Sequence, residues 1–490
     1  MTGVLRRGSV ILVAVLLAVV LGGGMTASAA GSHQEYGVRG VWLWGSTVRD
    51  VGAETIARDL EANHVNVVFL LVRGTAGTAG YNSGLAPMVD PSRDVLAEMI
   101  AACHPRGIEV HAWFVFNQDK AYTDAHPEDR AWHRGKPDSG DKPYEMTDGK
   151  VCPASQDHLE YTEAMIREVL ENYDVDGIHL DYIRYGHAVY CFCPHHYEKA
   201  AALGIDIERV RQALGKTFYS GPWGAPDPQY IFDAYENEAY PEHRDVKAWI
   251  DMRADEIRAA VESMRNIVKE VKPNAAFSAS LMPEGALADS KTFALCHYGQ
   301  RYCDAELYDF ICPMAYHVDY GKTPAWVGTV TQGAITESNG KPRVYAGVQA
   351  YGKVTAQDLA EAVKAARLSG ADGFVLFKYG DISGEEWNAV NQALGEIGPW
   401  VTLDERITVG PNPASERVTF WYDIPEAGTL CIYDIAGRLV YSAELASGKG
   451  SIEWNLTTSS GARLAPGVYV FTVVVPGEAP SRPQRLAIRP

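Results

Sequence analysis

DGIHLDYIRY, residues 176–185, decides the fold. Gly177–Asp181 is a short apolar run that stops at a carboxylate, and Tyr182, Arg184 and Tyr185 follow at once. A carboxyl ending a buried strand is costly unless it is paired or put to use. In parallel barrels the functional groups cluster at the carboxyl ends of strands. Asp181 reads as such a group, with a salt bridge to Arg184 or Arg73 as the structural alternative. His179 alternates with Asp181 and shares its side of the strand. Asp176 opens the strand and reads as structural.

Outward from this run the pattern repeats. Short β-rich apolar runs occur at Val38–Trp44, Val65–Val72, Ile108–Val115, Ala276–Met282, Phe310–Tyr316, Val344–Gln349 and Gly373–Phe377. Several are nearly continuous in apolar residues, as parallel strands covered on both faces require. Helix-period segments lie between them. Leu159, Ile166, Val169, Leu170 and Tyr173 mark one apolar face, and Ile257, Val261, Met264, Val268 and Val271 mark another. Thr355-Ala-Gln-Asp358 resembles a capping box, and Gly370 fits a helix C-terminus. Eight strands alternating with helices predict a (β/α)8 TIM barrel over 36–395, with a doubly wound open sheet as the alternative.

One connection is far longer than the rest, at about 184–245. It carries Tyr190, Phe192, Tyr197, Tyr219, Trp223, Tyr230 and Phe232. Lying over the carboxyl face of the barrel, these rings would offer stacking surfaces to sugars; the alternative is that they form a core of their own. Beyond Gly395 the pattern changes to short alternating strands such as Val418–Tyr422, Leu430–Tyr433 and Val468–Val475. Residues 405–490 read as a small all-β, Ig-like sandwich.

At the other end, Arg6 and Arg7 precede the apolar run Val10–Leu21, and Ala27-Ser28-Ala29 supplies small residues for cleavage. This predicts a signal peptide over 1–30. The run is shorter than the roughly 20 residues needed to span a bilayer, and no later segment reads as a membrane span. The mature chain is expected to be secreted or at the cell surface, with the periplasm as an alternative. Lys and Arg number 44 against 62 Asp and Glu, a net charge of −18. Such a charge repels nucleic acid and anionic lipid. Neutral or cationic substrates suit it better, deacetylated amino-sugar polymers among them.

Eight cysteines are too few for a disulfide scaffold at this length. Cys296 and Cys303 are the first pair to consider for a bridge. Cys191-Phe-Cys193-Pro-His195-His196 admits three readings: a metal site, a disulfide (with Cys152 as a partner), or free thiols.

Cleavage of a glycosidic bond calls for two carboxyls, one protonating the leaving oxygen and one acting as nucleophile or base. Asp181 is the first candidate. Glu284, after the fifth strand, is preferred as the second, with Asp319 and Asp381 as rivals. Arg73, His111, Trp113, His179, Arg184, Tyr185, Tyr316, His317 and Gln349 lie on or beside strand ends and are candidate substrate-binding residues. This chemistry needs no metal and no organic cofactor.

The stretches VNVVFLLVRGTAGTAGYNS (65–83), RGIEVHAWF (106–114), VDGIHLDYIRYG (175–186), ICPMAYH (311–317) and ADGFVLF (371–377) resemble the glycosyl-hydrolase-like family 10. The resemblance implies a barrel acting on a polysaccharide or oligosaccharide, with Asp181 matching the family's candidate catalytic carboxylate. The same strand looks like the chitinase-type signature, but Ile183 stands where that signature has its Glu. Glu284 rests on position alone. A carbohydrate-binding barrel without catalysis is the alternative, and a metal-dependent hydrolase built on Cys191–His196 is a third reading. Val409-Gly-Pro-Asn-Pro413, Ile432–Val440 and Leu464–Tyr469 resemble a sorting or FlgD-like Ig domain, which implies contact with export or cell-surface machinery.

Overall fold

The computed structural model describes residues 37–136, 142–215, 229–397, 407–410, 412–424, 426–435, 437–475 and 484–489. The expected export signal lies outside these residues, as do Tyr219 and Trp223. Among the described residues, no helix is long and apolar enough to cross a membrane.

Eight parallel strands close into a barrel: β1 Val38–Trp44, β2 Val67–Arg73, β3 Glu109–Val115, β4 Gly177–Asp181, β5 Ala276–Leu281, β6 Phe310–Ala315, β7 Arg343–Gln349 and β8 Gly373–Phe377. Each strand bonds to the next in chain order, and β8 closes on β1 through Val38 opposite Gly373. The open-sheet alternative is thereby excluded.

Alternation along each strand sorts the core into two layers. On β1, Val41 and Leu43 face the surrounding helices. Trp42 points inward, where Phe69, Trp113, Phe310, Cys312, Tyr345 and Val375 pack with it. The interior is a filled core rather than a pore. Gly177 serves this packing, since a Cβ there would fall 2.3 Å from His111 Nδ1.

The predicted helices follow from their faces and caps. Helix α1 (Gln156–Asn172) starts at Ser155, whose side chain accepts from His158 N–H, and buries Met165, Ile166, Val169 and Leu170. The box at Thr355 and Asp358 makes both reciprocal bonds, with Gly370 following the helix end in the left-handed region at φ +88°.

The long connection is not a loop. It folds into α2 (Pro194–Ala202), α3 (Ile207–Gly215) and α4 (Gln229–Glu236), which pack on the first turns of α5 (His243–Val271). Its described aromatics are core rather than platform. Phe192 stacks on Trp249 at 5.3 Å, Tyr197 donates to Glu208, and Tyr230 donates to Glu242 at 2.8 Å. An excursion this long buries its own apolar surface, and that need takes Phe192, Tyr197, Tyr230 and Phe232 into its core.

C-terminally, a three-stranded antiparallel sheet (β9 Ile407–Gly410, β10 Val418–Ile424, β13 Gly448–Trp454) faces a four-stranded one (β11 Gly428–Tyr433, β12 Leu439–Leu445, β14 Gly467–Val474, β15 Gln484–Ile488). They share a core that includes Phe420, Leu430, Ile432 and Phe471.

Candidate active site

A cleft of about 440 Å³ opens at the carboxyl ends of the barrel strands. Trp44 ends β1, Trp113 and Val115 come from β3, Asp181 ends β4, and Phe377 ends β8. Tyr182, Arg184, Tyr316 and Tyr320 complete most of its wall.

Asp181 is nearly enclosed, at 6% exposure. Its Oδ1 accepts from Tyr182 N–H at 2.7 Å and from Arg184 Nη1 at 3.3 Å. Burial raises its pKa above the ordinary carboxylate value, and the Arg184 charge and the Tyr182 N–H oppose that shift. Tyr182 holds a left-handed backbone at φ +52°, a conformation uncommon for a bulky residue. That turn aims its N–H at the carboxylate it follows. The indole N–H of Trp113, beside Asp181, opposes the shift as well.

Glu284 sits in the short 3-10 turn Pro283–Ala286, next to Met282 and Pro283 of the cleft wall. Tyr320 O–H donates to its Oε1 at 2.9 Å, while Oε2 is buried without a partner. Burial raises its pKa, against its own backbone, Tyr320 and the charge of Arg184. The two carboxyls thus share one neighbouring cation.

The rivals to Glu284 are engaged elsewhere. Asp319 accepts from Gln349 Nε2 at 2.9 Å and from Tyr351 O–H. Asp381 pairs with Lys378 at 2.9 Å.

Of the predicted binding residues, Trp113, Arg184 and Tyr316 line the cleft. The others do not. Arg73 is buried in an ion pair with Asp119, so the alternative pairing of Asp181 falls to Arg184 alone. His111 lies at the opposite mouth, in a separate cavity with Glu109, Asp174 and Tyr345, because it stands near the start of β3. His179 lies one layer below Asp181. Its Nε2 accepts from Trp42 N–H at 3.2 Å and lies 2.9 Å from Ser280 Oγ, which assigns the ring proton to Nδ1, 2.9 Å from Ser278 Oγ. Burial drives its pKa well below the usual value, so it is a neutral, satisfied core histidine.

Gln349 is spent bracing a turn, accepting from Val318 and Asp319 N–H at 3.1 and 3.2 Å. His317 is buried with neither ring nitrogen bonded, outside the cleft wall. Tyr185 turns away, its O–H 2.8 Å from His196 Nε2 and donating to Glu256.

Trp44, Tyr182, Tyr320 and Phe377 were missed. Trp44 and Phe377 end strands already read as such, so counting every strand end would have found them. Tyr182 and Tyr320 flank chosen residues, and no local pattern separates them from other loop tyrosines.

The cysteines differ from expectation too. Cys296 is buried, Cys303 is exposed, and both are free. Cys152, Cys191, Cys193 and His196 stand together, each offering an atom within 4.8 Å of the others. The metal reading of Cys191–His196 does not include Cys152, which is far from the others in the chain and meets them only through the fold; His195, by contrast, lies outside the cluster.

Residues 37–362 match the family model Glycosyl hydrolase-like 10, and 408–479 match Secretion system C-terminal sorting domain. The latter domain marks the chain for secretion and the cell surface and implies contact with export machinery. No curated protein matches the chain. Among solved structures, the PgaB (BpsB) glycoside hydrolase domain from Bordetella bronchiseptica aligns at TM-score 0.53 and 14% identity, over 73% of this chain and 97% of that one. A beta-galactosidase from Rahnella sp. R3 aligns at 0.50 and 14%, over 74% and 56%. Alpha-L-fucosidase isoenzyme 2 from Paenibacillus thiaminolyticus aligns at 0.49 and 17%, over 73% of this chain and 49% of that one, so the chain spans about half of the fucosidase. The first two likenesses agree with the barrel fold.

Proposed function

The chain belongs to the glycosyl hydrolase-like 10 family, and from that membership we propose that its barrel hydrolyses O-glycosidic bonds in an extracellular polysaccharide. Asp181 serves as nucleophile or base, and Glu284 serves as acid. The observation that carries this reading is a buried carboxyl, Asp181, and a half-buried one, Glu284, beside one cleft and both within the influence of Arg184. They differ in surroundings. Asp181 has a cation and a backbone N–H at its oxygen, which favour the ionised form. Glu284 has a phenol donor at one oxygen and an unpartnered buried oxygen at the other, a place where a proton can reside until a leaving oxygen takes it.

Trp44, Trp113, Tyr316 and Phe377 give the cleft flat apolar faces against which the apolar face of a sugar ring packs. Water attacks the anomeric carbon, either directly with Asp181 as base or after displacement by Asp181, and the Glu284 proton goes to the departing oxygen. The domain plan that goes with this reading is a cleaved signal over 1–30, a barrel over 36–395 and an Ig-like module over 405–490.

The test is hydrolysis of a polysaccharide panel, deacetylated amino-sugar polymers included, by wild type, Asp181→Asn and Glu284→Gln. Activity lost in both folded variants supports the assignment. Activity kept in Asp181→Asn removes it. Glycan binding without cleavage by wild type favours a carbohydrate-binding barrel.

A further inference from the structure

We propose that Cys152, Cys191, Cys193 and His196 bind one structural zinc ion. The four side chains are closed off from solvent, at 1%, 0%, 0% and 0% exposure. Cys152 Sγ lies 3.4 Å from Cys193 Sγ and 3.4 Å from His196 Nδ1, and Cys193 Sγ lies 3.3 Å from the same nitrogen. Every ligand atom is within 4.8 Å of every other. Four soft or borderline donors around one point suit a tetrahedral ion with about 2.3 Å bonds to sulfur and about 2.0–2.1 Å to nitrogen.

The surroundings of the four groups support a metal independently. A ligating histidine usually donates its second ring N–H to a carboxylate or similar acceptor, which fixes the ring and the tautomer. His196 turns Nδ1 toward the sulfurs and places Nε2 3.2 Å from Glu256 Oε2 and 2.8 Å from the Tyr185 hydroxyl. Glu256 is itself held by Lys199 at 2.6 Å. The backbone N–H of Trp132 donates to Cys191 Sγ at 3.1 Å, a bond that stabilises negative charge on sulfur.

Neither rival state accommodates all four groups. A disulfide engages two sulfurs and leaves the third thiol and His196 Nδ1 outside the bond. Three free thiols would be open to oxidation during export, before the fold encloses them.

With four protein ligands and no open position, the ion would be structural rather than catalytic. Cys152 precedes α1 on the β3–β4 connection, whereas Cys191, Cys193 and His196 lie on the β4 excursion. Zinc would staple these two segments together. Tyr185, one residue beyond Arg184, touches the site through His196, so the staple would also set the turn that carries the Asp181–Arg184 pair.

The full chain, expressed with zinc in the medium and dialysed against a weak chelator, should carry about one zinc per molecule by inductively coupled plasma mass spectrometry. X-ray absorption at the zinc edge should report three sulfur neighbours and one nitrogen. Cys193→Ser and His196→Ala should lose most of the metal, while His195→Ala, at the exposed neighbouring position, should keep it. Should the ligand variants fail to fold, the wild-type absorption spectrum still decides the ligand set. Metal-free protein overturns the proposal, whether its peptide map shows a disulfide among the three cysteines or free thiols. Zinc whose spectrum shows any other ligand set overturns it as well.

Discussion

Arg184 Nη1 stands 3.3 Å from Asp181 Oδ1, and the same guanidinium lies over the Tyr182 ring at 4.4 Å. The cation is therefore fixed in the cleft wall rather than free to leave. Since it holds down a pKa that burial raises, Arg184→Met should move the Asp181 titration to higher pH. Carbon-13 NMR of labelled aspartate carboxyls would follow the midpoint, and hydrolysis should fall on the order of 100-fold. An unmoved midpoint would show that the pair is not coupled.

Asp181 should also cost the protein stability. Its folded pKa lies above the unfolded one, so the folded state holds the proton to higher pH. The stability linked to that proton is present below the unfolded pKa, about 3.9, and is lost as pH rises through the folded value. An amide does not titrate and avoids the loss. Asp181→Asn should accordingly stabilise the fold by about 1 kcal/mol at neutral pH, with the gain fading toward pH 4. Urea unfolding at several pH values would measure it; a variant less stable than wild type at pH 7 would contradict the account.

Arg73 should matter for folding rather than for substrate. Its ion pair with Asp119 is buried on both sides, and Nη1 also donates to Gly77 C=O at 2.8 Å. Asp119 in turn caps the helix Lys120–Ala125 through Tyr122 N–H. Arg73→Ala would take the guanidinium from that buried carboxylate, leaving it His158 and the Tyr122 N–H, and should cost about 3 kcal/mol. Denaturant midpoints would register the loss. A folded, stable Arg73→Ala protein with impaired glycan binding would return Arg73 to the cleft.

The barrel was legible because strand and helix periods alternate cleanly from Val38 to Phe377, and because Asp181 breaks an apolar run at its end. Side-chain direction was harder. His111 and Trp113 lie two apart on β3 and share a face, yet only Trp113 is far enough along the strand to reach the cleft. Gln349 and Arg73 sit at strand ends but are consumed by Asp319 and Asp119, partners that no local spacing announces. The meeting of Cys152 with Cys191, Cys193 and His196 depends on how two connections pack, which only the fold supplies.

Trp44 offers the cleanest separation of binding from folding. It is 38% exposed at the end of β1, lines the cleft, and carries Lys378 Nζ over its ring at 4.1 Å. Little of the core depends on its indole, so Trp44→Ala should unfold at nearly the wild-type denaturant midpoint. Removing one stacking face should weaken oligosaccharide binding by about 1 kcal/mol, a roughly five- to tenfold rise in Kd. Trp421, 50% exposed on β10, serves as the control, and its alanine variant should bind as wild type does. Calorimetric titration with the best oligosaccharide from the panel would compare the three proteins. Equal affinities for all three would mean that sugars do not pack at the Trp44 end of the cleft.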